Sequence, residues 1–233
     1  MLDSGPLTRT ISIHPNIIKY TQRPQLKPGD LNPDGSWVSI DIAHLRADQM
    51  NEMLIREANM RVKPEDSVIC VGDFACRGGE KGFMGPKTHP LEILKRLTGN
   101  WSLIAGNHDE QNDVKSIGHF MACDVGVYKV GVQHRPLFDV EAYLKWRSGT
   151  EAEKAANPWR DRISERHLNI AKEHNRYCCG MFDFIICGHV HNAWKTKKIA
   201  GIWHVNVGVD VWKYRPVNDT EVTLAFERAR DGK

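Results

Sequence analysis

Short apolar runs recur along the chain, and three of them end in glycine followed by polar side chains. Trp101-Ser102-Leu103-Ile104-Ala105 leads into Gly106-Asn107-His108-Asp109. Val68-Ile69-Cys70-Val71 leads into Gly72-Asp73, and Phe182 to Cys187 leads into Gly188-His189-Val190-His191. Short apolar runs bounded by turn residues predict buried strands. In an α/β sheet the carboxyl ends of the strands carry the chemistry. With these strands side by side, Asp73, Asn107, His189 and His191 converge at one edge of the sheet.

The remaining pattern alternates helices with strands. Leu7 to Ile13 alternates β-branched residues and predicts a first strand, with a turn of helix over residues 16–20. Pro24, Pro28-Gly29 and Pro33-Asp34-Gly35 mark a loop. A helix is expected from about Ile42 to Arg61, N-capped by Asp41, with Met50, Met53, Leu54 and Ala58 at core spacing. Ala75 to Pro90 is a glycine-rich loop in which Arg77 and Lys81 could meet an anion. Pro90 opens a helix containing Leu91, Leu94 and Leu97, with Gly99 as its stop. Val125 to Val132 is expected as one strand. Asp161 to Tyr177 is expected as a helix with Ile163, Ile170 and Ala171 inward. Trp203 to Val207 and Thr220 to Phe226 are expected as strands, the last closing a sheet edge.

Composition narrows the class. With 233 residues and 41% apolar content the chain can bury a large core. There are no repeats and no clear linker, so a single domain over residues 1–233 is expected. A net charge of +3 spread over scattered Lys and Arg does not favour nucleic acid. No apolar run is long enough for a membrane helix, and residues 1–9 lack the layout of a signal peptide. The six cysteines, at 70, 76, 123, 178, 179 and 187, have no zinc-like or redox spacing. Free thiols and a cytoplasmic location are expected.

The polar residues at the strand ends suit a metal. Imidazole nitrogens two positions apart on extended backbone point to one face, so His189 and His191 can share a cavity. Asp73 offers a carboxylate able to bridge two ions, Asn107 an amide oxygen and His134 another nitrogen. Mixed nitrogen and oxygen donors favour Mn, Fe, Co, Ni or Zn over an all-oxygen Ca or Mg cage. Cys187 lies within its strand and is expected in the core.

Gly72-Asp73, Gly106-Asn107-His108-Asp109, His134 and Gly188-His189-Val190-His191 together resemble the calcineurin-like metallophosphoesterase family over most of the chain. Asn16-Ile17-Ile18-Lys19-Tyr20 with Arg23-Pro24, and Asn206 to Asp210 with Tyr214-Arg215-Pro216, resemble its small bacterial and phage-type members. The resemblance implies a four-layer αββα sandwich, in which two mostly mixed β-sheets are flanked by helices, with two metals at the sheet edge. It implies that Asp73 bridges them, that Asn107, His134 and His189 hold the second metal, and that His191 helps hold the first. His108 would protonate the leaving oxygen of a small phosphoester, with Asp109 holding its ring. Two ions so placed generate a nucleophile near neutral pH and clamp the phosphate oxygens.

The chain departs from the family at the first strand, where an Asp-x-His motif belongs. One register places Ser12-Ile13-His14 there; another places Arg9-Thr10-Ile11 there and matches His14 to a later histidine. Asp41-Ile42-Ala43-His44 has the wrong spacing and sits at a helix start. Loss of an anionic ligand weakens the first metal site, for which Asp73, His191 and His14 remain. The leading expectation is a phosphomono- or phosphodiesterase. A weakened phosphate- or nucleotide-binding relative is the alternative, and a nuclease is less favoured because no basic cluster interleaved with aromatics is present.

Overall fold

The computed structural model describes residues 21–75, 90–109, 113–150, 152 and 164–233. The expected first strand, the turn over residues 16–20, His14, Arg77 and Lys81 lie outside the described residues.

In chain order the elements are helix α1 (Ile40–Asn59), strand β1 (Ser67–Cys70), helix α2 (Pro90–Lys95), β2 (Asn100–Ile104), β3 (Ser116–Gly118), β4 (Phe120–Val125), β5 (Tyr128–Gln133), α3 (Val140–Arg147), α4 (Glu165–Met181), β6 (Phe184–Cys187), β7 (Thr196–Ile199), β8 (Ile202–Asn206) and α5 (Asp219–Arg230). They form two sheets, one in the order β1-β2-β3 and one in the order β4-β5-β6-β8-β7. The first is parallel throughout. In the second, β5, β6 and β8 are parallel, and β4 and β7 run antiparallel along its two edges.

Strand alternation sorts the core into layers. Phe184 and Ile186 of β6 face one way, joining Val130, Val132 and Val205 of their own sheet and Val71 and Ile104 of the other. Ile185, between them, faces Cys178 of α4 and Leu137. On the far side of the first sheet, Cys70 and Leu103 pack on Met50, Leu54 and Ala58 of α1 and on Ile93 of α2. Helices, sheet, sheet and helix thus stack as the expected αββα sandwich. Each fully buried Val, Leu, Ile or Phe contributes about 1.5–3 kcal/mol, so the paired apolar strands hold the layers together.

Several elements differ from the sequence expectation. The first helix begins earlier because Ser39 caps it, accepting from the Ile42 N–H, and Asp41 lies in its first turn. In α2 the fully buried side chain is Ile93, while Leu91 and Leu94 are half-buried. The run over residues 125–132 is split by a turn at Gly126, where φ is +61°, into the antiparallel β4–β5 hairpin. In α4 the buried residues are Leu168, Asn175 and Cys178, and Ile170 points outward. Thr220 to Phe226 is helical, not a strand. Asn218 and Glu221 form a reciprocal capping box at the start of α5, and Val222 and Phe226, one turn apart, seat the helix on the inter-sheet core.

Candidate metal centre

The register sets the site. β1 and β2 pair from Ser67↔Asn100 to Cys70↔Leu103, so Val71-Gly72-Asp73 and Ala105-Gly106-Asn107-His108 leave the first sheet side by side. In the second sheet, the Gly188 N–H donates to the His134 carbonyl at 2.9 Å, and the Val207 N–H to the Cys187 carbonyl at 2.8 Å. Five parallel strand ends therefore open toward one edge.

The two strand-end glycines are needed for different reasons. Gly72 has a φ of +83°, and a Cβ there would stand 2.4 Å from His134 Nδ1. Gly106 does not lie in the left-handed region. A Cβ there would stand 2.2 Å from Asp73 N and 2.3 Å from Asp73 Oδ1. The backbone of one loop must touch the side chain of the other, and only glycine permits that approach.

Asp109 is the clamp between these loops. Its carboxylate accepts from the N–H groups of Asp73 at 2.6 Å, Gly106 at 2.8 Å, Phe74 at 2.8 Å and Ala75 at 3.4 Å. Those bonds match the roughly four lone-pair sites of a carboxylate. They also support strain, because Asp73 has a φ of +52°, and a non-glycine residue in that region costs about 1–3 kcal/mol. The resemblance implied that Asp109 positions the His108 ring; its contacts to four backbone N–H groups had no signal in the sequence.

Four donor atoms meet in the cleft so formed. His134 Nδ1 lies 2.9 Å from the Val71 carbonyl, which accepts the ring N–H and turns Nε2 toward the cleft. That Nε2 faces Asp73 Oδ2 at 3.1 Å, Asn107 Oδ1 at 3.1 Å and His189 Nδ1 at 3.2 Å. Lone pairs aimed at one another repel unless a proton or a cation lies between them. Adjacent ligands about 2.1 Å from one ion stand about 3 Å apart, so the spacing fits a divalent transition metal. The liganding atoms of Asp73, His134 and His189 all lie within 4.8 Å of one another.

Charge supports this arrangement. Burial favours the protonated Asp73 carboxyl, but the His134 imidazole and the His108 backbone N–H, 2.9 Å from Oδ1, outweigh it and hold its pKa below the usual value. Burial first, then the charges of His134 and Arg135, bring His189 down to about 4. At neutral pH the cluster therefore offers an ionised carboxylate and a deprotonated His189 ring.

His191 meets a second carboxylate. His189 and His191 have φ of +66° and +46°, so this stretch turns and is not the extended segment expected. His191 Nδ1 lies 3.5 Å from Asp210 Oδ2. Asp210 in turn receives Arg23 Nε at 2.8 Å and Nη2 at 3.0 Å. Arg23 is 1% exposed and also reaches Met50 Sδ. Burial opposes the Asp210 charge, but His191 and Arg23 prevail and hold it down to about 2. The side chain of buried Asn206 donates to the His191 and Trp194 carbonyls and accepts from the Gly208 N–H, fixing the whole turn. Arg23, Asn206 and Asp210 stood in stretches that carried the family resemblance but had no assigned role. His108 is exposed beside the cluster. Cys187 is fully buried in β6, where burial pushes its thiol up.

A sequence profile described as the calcineurin-like phosphoesterase superfamily domain matches residues 44–227. The chain belongs to that superfamily. No curated protein sequence matches it significantly. Among solved structures, the Aquifex aeolicus protein AQ665, of unknown function, is similar at 21% identity and a TM-score of 0.51. That match covers 92% of this chain and 96% of the other. A novel archaeal phosphodiesterase matches at 16% identity and a TM-score of 0.36, covering 71% and 79%. Vps29 from Entamoeba histolytica, complexed with zinc, matches at 18% identity and a TM-score of 0.32, covering 68% and 63%. The superfamily is divalent-metal dependent, and the Asp73, His134 and His189 cluster suits such an ion. Among the described residues no helix is long and apolar enough to cross a membrane.

Proposed function

We propose that this superfamily member is a cytoplasmic phosphoesterase that hydrolyses a small phosphomono- or phosphodiester. The observation that carries the reading is the meeting of Asp73, Asn107, His134 and His189 around His134 Nε2. These four would hold the ion, one of Mn, Fe, Co, Ni or Zn. When bound, it supplies Lewis-acid charge neutralisation of the phosphate and water activation near neutral pH.

The chain's own groups would do the rest. The His108 backbone is tied to Asp73 Oδ1, so its exposed imidazole is displayed from a fixed base beside the cluster. It would give a proton to the departing oxygen as a general acid, an effect worth roughly 10²–10⁴-fold. Asp109 would keep both loops in register through its four backbone contacts. His191, with His14, is assigned to the weaker first metal position.

Hydrolysis of chromogenic phosphomonoester and phosphodiester substrates with Mn tests this. His108→Ala is expected to lower kcat at least 100-fold while leaving metal affinity unchanged. Unaltered turnover in that variant would remove the general-acid assignment.

A second reading is favoured by the altered first motif and by the Asp210 partner of His191. It is a phosphate-binding relative with one ion and weak turnover. Metal binding without turnover of either ester would select it, whereas two tight, fully occupied ions would exclude it.

A further inference from the structure

A second concavity, of about 440 Å³, opens between α5 and the turn that follows β8. None of the candidate metal ligands lines it. Its floor includes Val211, Trp212 and Ala225, and its rim carries Lys195, Lys213, Arg215, Arg228 and Lys233 against one carboxylate, Glu221. Counting Glu221 leaves the lining at +4, against +3 for the whole chain. The pocket is therefore a local concentration of charge, not the molecular average.

Pairing elsewhere sharpens the contrast. Arg46 pairs with Asp30, Arg96 with Glu52 and Arg147 with Glu165. At the pocket, Glu221 is already shared by Arg215 and Arg61, and Lys233 lies 3.7 Å from Asp231. Among the described residues, Lys213 and Arg228 have no carboxylate partner. Lys195 lies 3.5 Å over the Trp212 ring, and that ring is fixed by its indole N–H donating to the Asn206 carbonyl at 2.7 Å. Burial, opposed by the Glu221 charge and assisted by Arg215 and Arg228, makes the Lys195 ammonium easier to deprotonate. Unbalanced cations in a cleft focus the field on an incoming anion. Arg and Lys together suit phosphate oxygens, the first by its planar fork and the second as a point charge.

We propose that this pocket binds a small molecule carrying two or more linked phosphates, at a site separate from the metal centre. Its size lies in the range of small-molecule sites, and Thr196 adds a hydroxyl to the wall.

The test uses the full chain in EDTA, which removes any contribution from the metal centre. Sodium pyrophosphate is titrated by calorimetry at constant ionic strength. Saturable single-site binding is expected, weakened at least tenfold in the Lys213→Gln, Arg228→Gln double variant. Both positions are exposed, and circular dichroism verifies the variant's fold. The Arg228→Glu variant is expected to weaken binding further than Arg228→Gln. Absence of saturation, or equal affinity in wild type and double variant, would overturn the proposal. So would binding of a short oligonucleotide without saturable pyrophosphate binding, which would assign the patch to nucleic-acid backbone instead.

Discussion

His134 and His191 are both engaged through Nδ1, but against different partners. His134 meets the neutral carbonyl of Val71, and its free Nε2 looks into three further donor atoms. His191 meets a carboxylate that is itself held by a buried guanidinium. The first arrangement gathers donor atoms that a shared proton or a central cation must hold together. The second balances its charge within the protein. One strand-end edge thus holds a preformed ligand set and, beside it, a structural tie between Arg23 and the turn after β8. The difference teaches that the rings of a two-histidine motif can be held by partners of different charge. Both His189 and His191 sit on left-handed backbone.

The strongest way to break this contrast is to remove the tie. Arg23→Ala leaves Asp210 buried without its counter-charge, which costs about 3–5 kcal/mol. Denaturant unfolding should show that loss, and a change under 1 kcal/mol would mean the pair is not structural. The loss should be much smaller in the Arg23→Ala, Asp210→Ala double variant, since no buried charge is then orphaned.

Metal affinity separates the two rings next. His134→Ala should weaken binding of Mn more than about 100-fold, beyond the usual cost of losing an outer-shell partner. His191→Ala should weaken it by less than about tenfold. Equal losses would place both rings on one ion.

pH gives the finest separation, read by thermal melts of the metal-free protein. Burial and neighbouring charge hold His189 at about 4, against an ordinary 6.5. Between those values the unfolded chain binds a proton that the folded one refuses, so stability is full above pH 6.5 and falls toward pH 4. Buried His204 lies at about 4 through burial alone, with its Nε2 accepting from the Leu137 N–H, and shares this window. His189→Gln should therefore flatten the window only in part. Asp210, at about 2 against an ordinary 3.8, keeps its full contribution above 3.8 and loses it only as the pH falls toward 2. A single transition common to both regions would deny their independence.

Much of the architecture was legible in local pattern. Strands β1, β2, β6 and β8 are short apolar runs because they are buried on both faces. Other elements were misread where the pattern was ambiguous. Thr220, Val222 and Phe226 look β-prone, yet the Asn218–Glu221 capping box is the decisive local signal for α5. The β4–β5 hairpin was missed because its turn at Gly126-Val127 carries no Asn-Gly or Asp-Gly pair. Edge strand β7, with exposed Lys197 and Lys198, offers almost no apolar signal.

The sequence alone determined which residues are chemically capable and which strands end in them: Asp73, Asn107, His108, His134, His189 and His191. That follows from side-chain type and from short-range periodicity, which are local properties. Only the tertiary structure decided the pairings, because residues distant along the chain meet through strand order and loop contact. It turned Asp109 into a clamp on the Asp73 loop and drew His191 to Asp210 and Arg23. It also gathered five cations from residues 195 to 233 around one pocket, although no basic cluster interleaved with aromatics stands in the linear text.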